Sequence, residues 1–156
     1  MKRRRLSKSD IKELNKIMME KYHVEDYFHK KGVVDLIDDT VIYHGSFPCF
    51  FYDAGNLVPT LRLVLERGFP IKKVTVDMGA VKFVVSGADI MRPGIVRFDS
   101  DIQKYEYVAV VDENNHKPLA IGRMLFSGDE AQEMKSGKVV KSVHYVGDEL
   151  WTASTI

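Results

Sequence analysis

The chain has 156 residues, of which 45% are hydrophobic, so it can bury the core of one domain or of two small ones. A single cysteine, Cys49, excludes an intramolecular disulfide and a cysteine-based zinc site, as is typical of a reducing interior. No apolar stretch approaches the roughly 20 residues that span a bilayer, and no apolar leader follows the N-terminal arginines. These features predict a soluble, cytoplasmic protein with no membrane contact.

The formal charge of +1 is unevenly distributed. Residues 1–72 carry 13 Lys and Arg against 10 Asp and Glu, whereas residues 73–156 carry 10 against 12. The excess lies at the start, in Lys2-Arg3-Arg4-Arg5 and in Lys8, Lys12, Lys16 and Lys21. Two interpretations are open for this run, a solvated or frayed tail and an arm that attracts a polyanion.

Residues 1–72 have the pattern of an α+β domain. Ser7 and Asp10 form a capping box ahead of an amphipathic helix. Its apolar side carries Ile11, Leu14, Met18 and Tyr22, and its other side, which we expect to be solvated, carries Lys12, Lys16 and Glu20. Short apolar runs then predict antiparallel strands at 33–37, 41–43 and 48–52. A second short helix is predicted between Pro59, which can occupy a first helical turn, and Gly68, which with Pro70 supplies a stop.

Residues 73–156 have the pattern of a small barrel. Short strands are predicted at 73–76, 81–85, 94–98, 105–111, 119–126 and 139–145. Asp112–Lys117 is suited to a hairpin turn, and Ser127 with Glu130 begins a short helix that ends near Gly137. This many short strands predict a closed or nearly closed barrel, which hides its edges.

Catalytic motifs are absent from the sequence. The five histidines are scattered, and neither a serine elbow of the G-x-S-x-G type nor a phosphate loop occurs. Cys49 lies among aromatic residues and is interpreted as a core residue. We therefore expect no enzymatic activity, no cofactor and no metal.

The segment from Val76 to Ile95 contains three glycines, Gly79, Gly87 and Gly94, at which we expect chain reversals. In one interpretation, residues 86–88 lead into a short helix, and their small side chains let a phosphate or ribose approach the backbone N–H groups. In the other, the segment is a tight turn and a core strand. From residue types alone the two interpretations are balanced.

The segment Asp77–Gly94 resembles the opening of a PUA domain, the RNA-binding module named after pseudouridine synthase and archaeosine transglycosylase. Pro118–Met124 resembles that family's glycine-containing strand, Gly137–Lys141 its Gly-Lys run, and His144–Trp151 its closing H-Y-x-x-D-x-L-W. This ending, together with Pro59–Arg62, resembles more narrowly the malignant T-cell amplified sequence family and its archaeal relatives.

The resemblance implies an α+β pre-PUA domain over residues 1–72, followed by a mostly-β PUA-type pseudo-barrel over residues 73–156. It also implies an accessory factor without catalytic activity that binds tRNA or ribosomal RNA during translation initiation or recycling, in contact with the small ribosomal subunit. Because eukaryotic relatives work with a protein partner through their N-terminal domain, that domain is also a candidate site for a partner.

We expect RNA to contact one face of the barrel. Close backbone approach would come from Ser86, Gly87 and Ala88, phosphate contacts from Lys82, Arg92 and Arg97, and a wider basic rim from Lys72, Lys73 and Arg123.

Two other functions stay open. One is an accessory subunit that delivers tRNA to a separate modifying enzyme.

The other is a protein-interaction adaptor that docks a partner through the aromatic run from Phe47 to Tyr52. The charge of residues 73–156 favours it, because 10 basic residues against 12 acidic ones give −2, whereas RNA-binding domains are usually basic. An adaptor would show an exposed apolar patch and no positive groove.

Overall fold

The computed structural model describes residues 1–153 and divides them into two compact units, Met1–Pro70 and Ile71–Ala153. Each unit has its own sheet and its own hydrophobic core. The first unit contains strand β1 (Arg3–Arg5), helix α1 (Lys8–Tyr22) and strands β2 (Val34–Ile37), β3 (Val41–His44), β4 (Phe47–Asp53) and β5 (Asn56–Pro59). A single π-helical turn, Leu63–Arg67, follows and ends at Gly68.

Helix α1 begins as its sequence predicts. The Ser7 side chain accepts a hydrogen bond from the Asp10 N–H, the Asp10 carboxylate accepts one from the Ser7 N–H, and this reciprocal pair caps the helix. Its apolar side buries Ile11, Leu14 and Met18. The five strands pair antiparallel in the order β1-β2-β3-β4-β5.

Strand β5 was not predicted, and Pro59 lies at its end opposite Phe50 rather than in a helical turn. Proline is tolerated there because β5 is an edge strand of the sheet. The aromatic run on β4 is also placed differently from the adaptor hypothesis. Cys49 and Phe50 are completely buried, and Phe50 packs edge-to-face with Tyr27, Phe28 and Phe69. The core needs this run, so it offers a partner no continuous docking surface.

The arginines at the N-terminus form neither a frayed tail nor a free arm. Strand β1 pairs with β2, and the buried carboxylate of Asp35 accepts hydrogen bonds from Arg3 Nη2 at 2.7 Å and Arg5 Nε at 2.6 Å. Burial by itself raises the pKa of Asp35, but the two guanidinium groups outweigh it and the pKa lies below its ordinary value. The basic run is therefore held as an edge strand.

The second unit contains strand β6 (Lys73–Val76), a 3₁₀ turn (Met78–Ala80), helix α2 (Val81–Val84), strand β7 (Ile90–Met91), a second 3₁₀ turn (Arg92–Gly94) and strand β8 (Ile95–Phe98). Strands β9 (Tyr107–Asp112) and β10 (Pro118–Met124), helix α3 (Gly128–Glu133), strand β11 (Lys138–Tyr145) and helix α4 (Glu149–Thr152) complete it. The hairpin at Asp112–Lys117 and the Ser127 capping box are confirmed.

The sheet of the second unit has the order β7-β11-β10-β9-β6-β8. Strand β6 runs parallel to β9, and the other neighbours are antiparallel. Its two edge strands, β7 and β8, are joined by only the three residues Arg92–Gly94. The mixed sheet is thus a nearly closed pseudo-barrel, and the predicted fold class is confirmed.

The strand predicted at 81–85 is wrong, because Val81–Val84 is helical. Asp77 starts this helical segment: its side chain accepts a hydrogen bond from the Ala80 N–H at 2.9 Å and caps the 3₁₀ turn that continues into α2. The apolar run suggested a strand because short apolar stretches do not distinguish a strand from a buried helical turn.

The closing motif His144–Trp151 is explained by one carboxylate. Asp148 accepts hydrogen bonds from the backbone N–H groups of Tyr145 at 2.9 Å and Trp151 at 2.8 Å, and its Oδ2 lies 2.8 Å from Nδ1 of the buried His144. It therefore caps α4 and ties that helix to the end of β11.

Within residues 1–153, no helix combines the length and the apolar character that crossing a membrane requires.

Replacing Asp35 by Asn is expected to lower the free energy of unfolding at neutral pH by roughly 1–3 kcal/mol, because Arg3 and Arg5 lose a charged acceptor. Since the folded pKa of Asp35 is depressed, its contribution is present above the unfolded pKa of about 3.9 and is lost as pH falls through the folded value. Urea unfolding at neutral pH and below about pH 4 tests this. Equal acid sensitivity of the variant and the wild type would contradict it.

Candidate nucleic-acid interface

Helix α2 and the two 3₁₀ turns beside it enclose a cleft of about 500 Å³. Most of its lining is apolar, with two carboxylates at Asp77 and Asp89. The lining residues are Asp77, Gly79, Ala80, Phe83, Val84, Ala88, Asp89, Ile90, Met91, Pro93 and Gly94. Among the described residues, no lysine or arginine lines this cleft. Its chemistry therefore suits a flat, mostly apolar group that carries hydrogen-bond donors on its edge.

Exposed apolar side chains stand around this cleft. Phe83 is 57% exposed and Met91 49%, and both line the cleft, while Met78, 44% exposed, lies in the chain between the lining residues Asp77 and Gly79. We call these three residues the Phe83 shelf. The shelf exists because α2 is a single turn anchored by the buried Val84, so that its neighbour Phe83 is turned toward solvent. Large apolar side chains exposed at a cleft are typical of a binding surface, whereas those scattered singly over a surface are not.

Asp89 is a fixed acceptor at the cleft. Its Oδ1 accepts a hydrogen bond from the Ser142 N–H at 2.8 Å, and its Oδ2 pairs with Lys138 Nζ at 2.8 Å. Burial alone raises the pKa of Asp89, but the hydrogen bonds from Lys138 and Ser142 lower it by more than burial raises it. The pKa therefore lies below its ordinary value. The carboxylate is thus ionised at neutral pH, and each oxygen can accept a further hydrogen bond.

Four of the predicted site residues lie together on α2 and the turn after it, namely Lys82, Ser86, Gly87 and Ala88. Lys82 is exposed, with its Nζ 5.1 Å from the centre of the Phe83 ring, and Ala88 lines the cleft. The helix precedes residues 86–88 instead of following them, so the expected helix start is wrong.

The backbone N–H groups of Ser86, Gly87 and Ala88 donate to the carbonyls of Phe83, Val84 and Phe83. They close the helical turn and are not available to a phosphate in this structure. Gly87 alone of the three predicted reversal glycines has a positive φ, at 88°. A Cβ at this position would lie 2.6 Å from the ring of Tyr145, so glycine is required by both conformation and space.

Arg92 holds the turn that joins the two sheet edges. Its Nε donates to the Ala131 carbonyl at 2.8 Å and its Nη1 to the Ile95 carbonyl at 2.9 Å. A third, longer contact joins Nη2 to the Gln132 carbonyl at 3.4 Å. The guanidinium group therefore has a structural use, which sequence reasoning missed.

The other four predicted residues do not lie on the turn after α2: Lys73, Arg97 and Arg123 are on strands, and Lys72 directly precedes β6. Lys72 pairs with Glu106 at 3.3 Å, which neutralises it locally. Lys73 and Arg97 are exposed on the neighbouring strands β6 and β8. Arg123, on β10, donates to the Tyr105 carbonyl at 3.0 Å and stacks 5.1 Å from the ring centre of Tyr107.

Sequence reasoning missed the shelf residues Met78, Phe83 and Met91. In a strand over 81–85, Phe83 would lie on the same face as the apolar Val81 and Val85. That arrangement predicts a buried Phe83 and gives no reason to expect its side chain in solvent. Asp77, three residues before Ala80, was the available signal, since aspartate before a short apolar run is a typical N-cap.

Residues 72–146 match the PUA domain family. Three relatives are similar over most of their length. An uncharacterized protein of Methanocaldococcus jannaschii is 41% identical over 96% of this chain and 95% of its own. Translation machinery-associated protein 20 of Saccharomyces cerevisiae is 32% identical over 84% of this chain and 78% of its own. Malignant T-cell-amplified sequence 1 of Danio rerio is 29% identical, with coverages of 96% and 90%.

A solved structure agrees with the fold. The crystal structure of a hypothetical protein from Pyrococcus horikoshii superposes with a TM-score of 0.83 at 32% identity and covers 98% of this chain and 99% of that one. The resemblance drawn from Asp77–Gly94 and His144–Trp151 is thereby confirmed.

Replacing Gly87 by Ala is expected to lower the free energy of unfolding by roughly 2–5 kcal/mol, because backbone strain adds to a clash with Tyr145. Gly147 is a matched control, since its φ is 91° but a Cβ added there would meet no atom within 4 Å. Gly147→Ala should therefore show the strain alone, about 1–2 kcal/mol. Chemical denaturation of both variants measures the difference, and equal losses would contradict a tight Gly87–Tyr145 contact.

Proposed function

Because this chain belongs to the PUA-domain family that includes translation machinery-associated protein 20, we infer that it binds RNA and serves translation. We propose that it is an accessory factor without catalytic activity that binds tRNA or ribosomal RNA during initiation or recycling on the small ribosomal subunit. Residues 73–156 would form the RNA-binding domain and residues 1–72 the pre-PUA domain, and the protein would act in the cytoplasm.

The observation that carries this proposal is the cleft beside the Phe83 shelf. An unpaired base has a flat apolar face that can stack on Phe83, and single-stranded RNA is recognised largely by such stacking. The exocyclic amino groups of bases are donors that fit the ionised carboxylate of Asp89. A base in a double helix is already stacked and paired, so this site would select an unpaired end or a loop.

Phosphate contacts would come from outside the cleft, because a carboxylate-lined cleft repels phosphate. Lys82 is adjacent to the shelf and exposed, so we retain it as the first phosphate contact. Lys73, Arg97 and Arg123 remain proposed contacts for a longer RNA. Arg92 would act by holding the turn in place, and Lys72 would contribute least because Glu106 already neutralises it.

The same shelf supports a second candidate function. Exposed Phe83, Met91 and Met78 would also suit the apolar side chains of a protein partner, so an adaptor function is proposed here at a different surface from the run Phe47 to Tyr52. The two functions differ in what competes for the shelf: an apolar peptide for the adaptor, and a short single-stranded RNA for the RNA-binding factor.

Replacing Phe83 by Ala is expected to weaken binding of an RNA duplex with a single-stranded 3′ tail by roughly five- to hundredfold, the loss of one stacked base. Binding of the blunt duplex should be unchanged. Fluorescence anisotropy measures both probes, and Val96→Ala is the control because Val96 is equally exposed, at 54%, outside the cleft. Equal affinity of the variant and the wild type for the tailed duplex would count against the base site.

Replacing Lys82 by Ala is expected to reduce the salt dependence of RNA binding by about one unit of slope, because one phosphate contact is lost. The free energy of unfolding should not change. Arg92→Ala should instead lower stability by roughly 1–3 kcal/mol, since carbonyl groups lose their donor. Lys117→Ala, on an exposed hairpin, is the control, and an unchanged slope for Lys82→Ala would remove Lys82 from the site.

A further inference from the structure

A second concave surface lies in the first unit, between helix α1 and the loop that follows it. This groove, of about 500 Å³, is lined by Lys8, Ile11, Lys12, Asn15, Lys16, Met19, Glu25, Asp26 and Lys30. Four lysines face two carboxylates along it, which leaves a net charge of +2. We call it the α1 groove.

The walls of the α1 groove are fixed by one side chain. Asn15 Nδ2 donates to the Phe28 carbonyl at 2.8 Å, and the Phe28 N–H donates to Asn15 Oδ1 at 3.0 Å. Phe28 itself is 1% exposed and packs in the aromatic core. The loop is therefore clamped to the helix, and the groove exists before any ligand arrives.

The groove lysines differ from most other cations of this unit. Lys2 pairs with Asp39, Arg4 with Asp10, Arg62 with Glu66, and Lys21 donates to Asn56. Within residues 1–153, by contrast, no side-chain hydrogen bond or ion pair is made by Lys8, Lys12, Lys16 or Lys30. The positive charge that the unit leaves uncompensated is thus concentrated in a preformed groove.

The positions of three of these lysines are unfavourable for the helix itself. Lys8, Lys12 and Lys16 follow one another at intervals of four residues, and like charges at this spacing repel along a helix. Lys8 also occupies the first residue of α1, where the helix dipole disfavours a cation. Since the rise is about 1.5 Å per residue, the row extends over roughly 12 Å. A bound polyanion would remove this repulsion.

We propose that the α1 groove binds the phosphate backbone of RNA, as a second contact separate from the base site of the other unit. A row of uncompensated lysines is suited to a chain of phosphates, whose binding releases condensed counterions and carries no base specificity. Glu25 and Asp26 form part of the opposite wall and keep the strand of phosphates on the side of the helix. This inference rests on the proposed RNA-binding function and extends it to the first unit.

The test uses the full chain and a blunt RNA duplex of about 16 base pairs, which offers a backbone but no unpaired base. Replacing both Lys12 and Lys16 by Ala is expected to lower affinity at low salt and to reduce the salt slope by about two units, one for each lost phosphate contact. The control, Lys117→Ala with Lys135→Ala, removes the same charge from exposed positions outside both surfaces and should keep the slope.

Thermal unfolding serves as the check that each variant is folded. Because the substitutions remove like-charge repulsion along α1, the stability of K12A/K16A should not fall. Equal slopes for K12A/K16A and the control would overturn the proposal. So would binding of a polyglutamate peptide, but not of the duplex, in a manner that depends on Lys12 and Lys16, because the ligand would then be an acidic protein segment. The Phe83→Ala comparison of tailed and blunt duplexes is independent, so failure of the base site and failure of the α1 groove are distinguishable.

Discussion

The parallel pairing of β6 with β9 is the constraint on which the second unit depends. Parallel neighbours cannot be joined by a tight hairpin, so the chain from Asp77 to Glu106 must cross from the end of β6 back to the level at which β9 begins. That crossover contains α2, the cleft, β7 and β8, and it delivers the two edge strands to the same place. Arg92 then fixes the short turn between them through backbone carbonyls. The candidate base site is thus a product of sheet topology, with Asp77 starting the one helical turn that exposes Phe83.

Local signals in the sequence were sufficient wherever a side chain acts on its own backbone. Both serine capping boxes, the Asp112 hairpin and the end of a helical turn at Gly68 required no knowledge of distant contacts. The failures occurred where tertiary context decides. A short apolar run at 81–85 fits a strand until it is known that Val84 enters the core with Val81 packed against it, while Phe83 between them is exposed. Arg92 looked like a phosphate ligand because two of its three acceptors are carbonyls about 40 residues away along the chain.

Net charge was a poor guide to the chemistry of these surfaces. The second unit is slightly acidic as a whole, yet two of its carboxylates, Asp77 and Asp89, line the mostly apolar cleft for which we propose base binding. In the first unit the most basic run, Arg3–Arg5, is largely compensated by Asp35 and Asp10, whereas the four lysines of the α1 groove are left without acceptors among the described residues. What a charge can bind therefore depends on its partners more than on its position in a basic run.

The ion pairs of Arg3 and Arg5 with Asp35 also bear on the exposed edge of the first sheet. Strand β1 is an outer strand of its sheet, with one side of its backbone left unpaired by β2. The unpaired N–H and C=O groups of an edge strand can pair with a strand of another chain, which leads to aggregation. All three residues of β1 are exposed arginines, and charged side chains of this kind are one way in which proteins protect a sheet edge. The ion pairs that hold β1 in place thus keep a short, charged strand over the more apolar β2, so one buried aspartate helps to decide which strand forms the edge of this sheet.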